Sequence, residues 1–87
     1  MTDTADIRFL LTIQQNGSLI AAARKLGLTA SAVTQRLQQI EKKLGSRLVE
    51  RTARKLTFTE EGTLLCLRGA EVIEQLDTLL EDLRIHH

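Results

Sequence analysis

The sequence predicts a mainly α-helical domain in which three short helices and a small β-hairpin precede one long C-terminal helix. Three observations predict it. Apolar residues recur at helical spacing in four segments, and capping residues or glycines separate these segments. Residues 46–58, in contrast, lack a helical period and contain β-branched residues. A chain of 87 residues, 43% of them hydrophobic, accommodates one small domain.

The composition excludes several classes of protein. Two phenylalanines are the only aromatic residues, which argues against single-stranded nucleic acid binding on aromatic platforms. A single cysteine provides neither a disulfide framework nor a zinc cluster. No apolar run approaches the ~18 residues of a membrane span, and the polar residues after Met1 do not resemble a signal peptide. We therefore expect a protein of the reducing cytoplasm without cofactors or metals.

The first predicted helix runs from Asp3 to Asn16. Either Asp3 or Thr4 is a suitable N-cap, and Asn16 with Gly17 ends the helix. Its apolar face is broad, because two adjacent rows of side chains contribute to it: Ile7, Leu10, Leu11 and Gln14 in one row, Phe9 and Ile13 in the other.

The next segment predicts two helices joined by a tight turn. Ser18 is a good N-cap, and Leu19, Ala22, Ala23 and Leu26 follow at the spacing of one buried helix face. Gly27 suits the end of this helix and Thr29 suits the cap of the next, which leaves a turn of about three residues. The paired alanines permit a close crossing of the two helices. The pattern is typical of a helix-turn-helix.

The second helix of this motif presents two different faces. Val33, Leu37, Ile40 and Leu44 are predicted to be buried, and Lys42, Lys43 and Gly45 mark the end of the helix. The outer face carries Ser31, Gln35, Gln38 and Lys42, with Thr34 on its flank. Hydroxyls and amides both donate and accept hydrogen bonds, which suits base edges and phosphates in a major groove. A merely solvated face is the alternative, but the capped, alanine-packed partner helix favours DNA reading.

Residues 48–52 and 56–58 predict a small hairpin, which we call the wing. Arg51, Arg54 and Lys55 crowd it, and we expect them to contact phosphates or the minor groove rather than only to increase solubility. Charge is distributed unevenly around this region. Residues 19–55 carry nine bases against two acids, whereas residues 56–87 carry two bases against seven acids. The middle of the chain should therefore face a polyanion.

The last helix begins after the cap Thr59, with Glu60 and Glu61 in its first turn. Apolar or small residues then alternate at spacings of four and three, with Ile73 and Leu80 beside them: Leu65, Gly69, Val72, Leu76, Leu79 and Leu83. We expect a partner helix, most simply that of a second subunit, to cover a dimerisation stripe of Leu65, Val72, Leu76, Leu79 and Leu83. Packing of the whole stripe back onto the monomer is the competing possibility.

Four segments together carry a family resemblance: the paired alanines after a cap, SAVTQRLQQIEKKLG, LVER, and LTFTEEG before a long apolar helix. In this combination, which covers about residues 7–83, the chain resembles the N-terminal DNA-binding domain of LysR-type transcriptional regulators. The resemblance implies a winged helix-turn-helix in residues 1–58 and a dimerising linker helix in residues 59–87. It also implies a cytoplasmic bacterial regulator that binds an inverted-repeat operator as a homodimer, with a ligand-binding domain beyond these residues and a higher oligomer as an alternative for the full-length protein.

The resemblance also implies which residues contact DNA. The family's recognition-helix contacts fall here on Thr29, Ala30, Ser31, Thr34, Gln35 and Gln38. Its wing contact falls on Arg54, with Arg51 nearby. Ala30 stands where the family often has Gln, and Val49 where it usually has Phe.

An enzyme is not expected. Cys66 has no nearby base and sits on the predicted last helix, where a small buried residue is the better interpretation. The two histidines, His86 and His87, lie at the terminus, and no glycine-rich phosphate loop is present. The stronger rival to DNA binding is a helical interaction module, in which the last helix is a dimerisation arm.

Overall fold

The structure is a computed structural model that describes residues 2–51 and 56–85, with Arg51 described in its backbone only. Its elements follow in the order α1 (Thr4–Asn16), α2 (Leu19–Leu26), α3 (Ala30–Leu44), β1 (Val49–Arg51), β2 (Leu56–Phe58) and α4 (Glu60–Ile85). The predicted mainly α fold, three helices with a small hairpin and a long last helix, is confirmed. Arg54, Lys55, His86 and His87 lie outside the described residues.

The predicted caps set the helix boundaries. The side chains of Asp3, Ser18 and Thr29 each accept a hydrogen bond of 3.0 Å from a backbone N–H three residues later. Each of these bonds satisfies one of the amide groups that a helix N-terminus leaves unpaired. At their other ends, the first three helices stop at glycines in the left-handed conformation.

The core lies where α1, α2, α3 and the start of α4 meet. It is almost entirely aliphatic, as the composition predicts, and comprises Phe9, Leu10, Ile13, Ala22, Ala23, Val33, Leu37, Ile40, Leu48, Val49 and Cys66. The predicted burial of Leu44 is wrong, because this side chain is 40% exposed. Leu44 is the last residue of α3, and there the helix has run past the core to the edge of a surface groove that Leu48 and Leu64 also line.

The wing is a two-stranded antiparallel sheet in the register Val49 to Phe58, Glu50 to Thr57 and Arg51 to Leu56. The first strand begins at Val49, one residue later than predicted. Leu48 does not extend it, because its N–H donates to the Glu41 carboxylate rather than to the other strand. Its carbonyl still accepts from the N–H of Thr59, in register with the sheet. These bonds attach the base of the wing to α3 and to the start of α4.

The long helix α4 starts at the predicted cap, since the Thr59 hydroxyl accepts from the N–H of Gly62 at 3.0 Å. One face of its first half packs on the domain through a body stripe of Gly62, Cys66, Gly69 and Ile73. Gly69 and Ile73 therefore belong to the monomer rather than to a partner helix, and the competing prediction of packing onto the monomer holds for this part of the helix. No helix within residues 2–51 and 56–85 has the length and apolarity to cross a bilayer.

Candidate nucleic-acid interface

The outward face of α3 is polar from its N-cap, beside the turn that joins it to α2, to the middle of the helix. Thr29, Ala30, Ser31, Gln35 and Gln38 are exposed there, and Thr34 is half-buried. Successive residues of a helix differ by about 100°, so Ser31, Gln35 and Gln38 project within one arc with Thr34 at its edge. Val33, Leu37 and Ile40 hold the opposite side of the helix in the core. The residues predicted to contact DNA from α3 thus share one surface, on a helix whose opposite face is buried in the core.

A buried carboxylate on α1 connects this first helix to α3. The Asp6 side chain, 8% exposed, lies 2.7 Å from the Lys43 ammonium and 3.5 Å from the Arg36 guanidinium. The same guanidinium stacks over the Phe9 ring at 4.5 Å from its centroid. The hydrogen bond from Lys43 lowers the pKa of Asp6 below its ordinary value, against an opposing effect of burial. Asp6 stays charged and ties α3 to α1.

The sequence analysis missed Asp6, although a signal exists. Asp6 precedes Phe9, Leu10 and Ile13 at helical spacing, so it falls on the buried row of α1. An acid in such a row requires a cationic partner, because a carboxylate is almost never buried unpaired.

Glu41 connects α3 to the wing. Its Oε2 accepts hydrogen bonds from the N–H groups of Leu48 at 2.8 Å and Val49 at 3.2 Å. On the other side, the Thr59 hydroxyl donates to the carbonyl of Arg47 at 2.7 Å. The base of the wing is therefore held at a defined position relative to α3. No local pattern in the sequence predicts these contacts, because they join residues of three different elements.

The cationic residues around α3 lie on several elements. Arg24 and Lys25 in the last turn of α2, Lys42 near the end of α3 and Arg47 before the wing are all exposed. The wing contacts predicted from the sequence are not described, because Arg54 lies outside the described residues and only the backbone of Arg51, in β1, is given. The described cations already give the helix-turn-helix side of the molecule a positive character.

The predicted dimerisation stripe is exposed over its second half. Val72, Leu79 and Leu83 are about half exposed, and Leu76 is half-buried. Leu65 differs from them because it packs partly against the core of its own chain. Three consecutive turns of large apolar side chains facing solvent are unusual for a helix that works alone.

Cys66 has a structural place in the core, as predicted. Its side chain is 2% exposed, and its thiol lies 3.9 Å from the carbonyl oxygen of Leu10. Burial raises the pKa of this thiol, so the thiolate needed of a nucleophile is disfavoured.

Comparison with known proteins agrees with this arrangement. The model of a family described as "Bacterial regulatory helix-turn-helix protein, lysR family" matches residues 4–63. An HTH-type transcriptional regulator of Xanthomonas campestris pv. campestris is 34% identical over 85 residues, which cover 94% of this chain and 25% of that protein. The HTH-type transcriptional activator TtdR of Escherichia coli K12 is 36% identical over 77 residues, which cover 88% of this chain and 25% of the activator. The chain thus spans about a quarter of the length of these relatives.

Solved structures show the same fold. A complex of the BenM DNA-binding domain with catB site 1 DNA superposes with a TM-score of 0.87 at 22% identity, covering 95% of this chain and 92% of that one. A complex of the CbnR DNA-binding domain with DNA gives 0.88 at 21% identity and covers 98% of both chains. The full-length virulence activator AphB of Vibrio cholerae gives 0.80 at 29% identity, covering 94% of this chain and 28% of AphB.

Proposed function

The chain belongs to the LysR family of bacterial regulatory helix-turn-helix proteins, and we propose that it binds double-stranded DNA sequence-specifically as part of a transcriptional regulator. One observation carries this proposal: α3 exposes a polar face to solvent while its opposite face is buried in the core. Two structural neighbours, BenM and CbnR, were solved as complexes of their DNA-binding domains with DNA, which supports the same use of the shared fold.

The recognition helix supplies the base contacts in this proposal. Ser31, Thr34, Gln35 and Gln38 have side chains that donate and accept hydrogen bonds, as base edges in the major groove require. Thr29 and Ala30 lie at the helix N-terminus, where backbone N–H groups and the helix dipole favour a phosphate. Arg51 and Arg54 of the wing contact phosphates or the adjacent minor groove.

A homodimer supplies the second half of the DNA site. The exposed part of the dimerisation stripe, from Val72 to Leu83, packs against the same stripe of a second subunit, with Leu65 at its margin.

Residues 1–58 form the DNA-binding domain in this proposal and residues 59–87 the dimerisation helix. Two recognition helices then enter major grooves about one turn of DNA apart, or a multiple of that distance, on an inverted repeat. The chain works in the cytoplasm, where it reaches DNA. It is not an enzyme, in keeping with relatives that are transcriptional regulators.

Selection from a randomised duplex pool tests the proposal. Fluorescence anisotropy at low and moderate salt measures affinity, and sequencing identifies the retained DNA. Salt-sensitive binding and enrichment of an inverted repeat are expected. A Gln35→Ala variant should lose the base preference at some positions of the selected DNA. The control Gln14→Ala, which removes an exposed amide from α1, should keep the preference at every position. If a folded, dimeric chain fails to bind at low salt, the helical interaction module becomes the better account.

A further inference from the structure

The crossing of α1 and α4 is unusually close at Gly69. This glycine is buried, and a Cβ placed on it would lie 2.6 Å from Cγ2 of Ile7. Ile7 cannot easily turn this methyl group away, because a β-branched side chain in a helix has essentially one favoured χ1 rotamer. The absence of a side chain at Gly69 therefore sets the distance between the two helices at this point.

Two further contacts lie along the same side of α4. A Cβ at Gly62 would overlap the carbonyl oxygen of Leu48 and lie 2.9 Å from its carbonyl carbon, and this backbone segment is held in place by its hydrogen bonds to Glu41 and Thr59. At the other end, Arg8 of α1 donates to the Asp77 carboxylate at 2.7 Å. Gly62, Gly69 and Asp77 are spaced by about two helical turns each, so the three contacts extend along about 22 Å of α4. The two buried glycines set its distance from the domain, and the half-exposed Arg8–Asp77 pair adds an orienting contact.

These contacts connect the recognition helix to the exposed stripe through a continuous set of packed elements. Asp6 ties α3 to α1, and α1 in turn holds α4 at Gly69 and Asp77. Beyond this held part, Leu79 and Leu83 face solvent. The direction in which α4 leaves the domain therefore determines where the exposed stripe lies relative to the face that reads DNA.

We propose, on the premise of the dimeric DNA-binding function above, that Gly69 and the Arg8–Asp77 pair are positioning residues that set the half-site spacing the dimer accepts. They act through the angle of α4 and contact no DNA themselves. Leu83 lies about 21 Å along the helix from Gly69, so a tilt of about 10° at the crossing moves it by about 4 Å. That displacement is close to one base-pair step of about 3.4 Å, and a symmetric dimer applies it twice.

A size exchange at the crossing tests this role. Gly69→Ala should push α4 away from Ile7 and move the preferred spacing by about one base pair or more, for the geometric reason above. In the double variant with Ile7→Ala, Cγ2 is absent and the nearest atom of residue 7, its Cβ, lies 3.9 Å from the new methyl group. The double variant should therefore recover the original spacing. The readout is relative affinity for a series of inverted repeats whose half-sites are separated by gaps that increase one base pair at a time.

A charge exchange provides an independent test. It remains available if circular dichroism shows that Gly69→Ala does not fold. Arg8→Glu and Asp77→Arg should each change or broaden the spacing preference, and the two together should restore it. A purely structural role would lower the melting temperature without moving the preferred gap. An unchanged gap in folded, dimeric Gly69→Ala or in both charge variants overturns the inference while leaving the proposed function intact. If the unaltered chain selects no inverted repeat, the proposed function itself fails, and this inference with it.

Discussion

Asp6 of α1 and Lys43 near the end of α3 form an ion pair of 2.7 Å between residues 37 positions apart in the chain. The carboxylate is nearly buried and the ammonium is partly exposed, so the two partners would respond differently to the loss of the other. The pair links α1 directly to α3, although α2 separates these helices in the chain. Its removal should weaken the packing of α3 against α1.

We expect Asp6→Asn to destabilise the domain by about 1–3 kcal/mol. The amide keeps the shape of the side chain but loses the charge-assisted hydrogen bond, while the partly exposed Lys43 regains water and limits the loss. Urea denaturation followed by circular dichroism measures the change. Glu74→Gln, which neutralises an exposed acid of α4, should change the free energy of unfolding by no more than about 0.5 kcal/mol. Equal effects of the two substitutions would contradict the role given to Asp6.

The same carboxylate should make stability dependent on pH in the acid range. The pKa of Asp6 in the folded chain lies below its ordinary value of 3.8, so between these two values the unfolded chain binds the proton and the folded chain does not. Stability from Asp6 is therefore fully present above pH 3.8 and is lost as the pH falls through the folded pKa. The difference in unfolding free energy between the unaltered chain and Asp6→Asn should shrink on acidification. A difference that stays constant from neutral pH to pH 2 would rule out the linkage.

Gln35→Ala should reduce base preference rather than general affinity. Gln35 is exposed on the polar face of α3, and a good side-chain contact to a base contributes about 1–3 kcal/mol of discrimination. Competition between the selected operator and single-base variants measures this, and the loss should be confined to one position of each half-site. A uniform loss over all sequences would assign Gln35 to the phosphates instead.

Arg54→Ala should instead lower the affinity for all DNA sequences without changing the base preference. A wing residue that contacts only phosphate contributes equally to every sequence, and its removal should reduce the slope of log affinity against log salt by about 0.9. Titrations of specific and unrelated duplexes at several salt concentrations provide the slope. A loss confined to one base position would show that the wing reads sequence.

Leu79→Asp should dissociate the dimer. This side chain is 55% exposed in the monomer, so a charge there is tolerated by one chain but not between two apolar stripes. Leu67 is 64% exposed on the same helix, about 120° around the axis, and Leu67→Asp is a matched control that should leave the dimer intact. Sedimentation velocity gives the mass of each variant. A dimer that survives Leu79→Asp would place the interface elsewhere.

Features that depend on neighbouring residues could be predicted from the sequence. Ser18, Thr29 and Thr59 cap helices where expected, because a cap needs only its own side chain and the next turn of backbone. The buried alanine pair follows in the same way from the helical period.

Features that depend on which surfaces pack together in the folded chain could not be predicted from the sequence. The sequence of α4 contains two apolar stripes about a quarter turn apart, and periodicity alone does not show that Gly69 and Ile73 face α1 while Val72 and Leu79 face solvent. Leu44 matches the buried period of α3, but its exposure depends on where the core ends. The contact of Glu41 with the wing depends on the fold in the same way.

Because Cys66 is buried between α4 and α1, the reactivity of its thiol reports how often these two helices separate. It is the only cysteine of the sequence, and its thiol is enclosed between α4 and α1 with a raised pKa. A maleimide reagent can reach it only when these helices separate, so the labelling rate is the intrinsic reactivity of a thiol multiplied by the fraction of time the pair stands open. The labelling rate of this one sulfur atom thereby measures, without any substitution in the chain, how often α4 separates from α1.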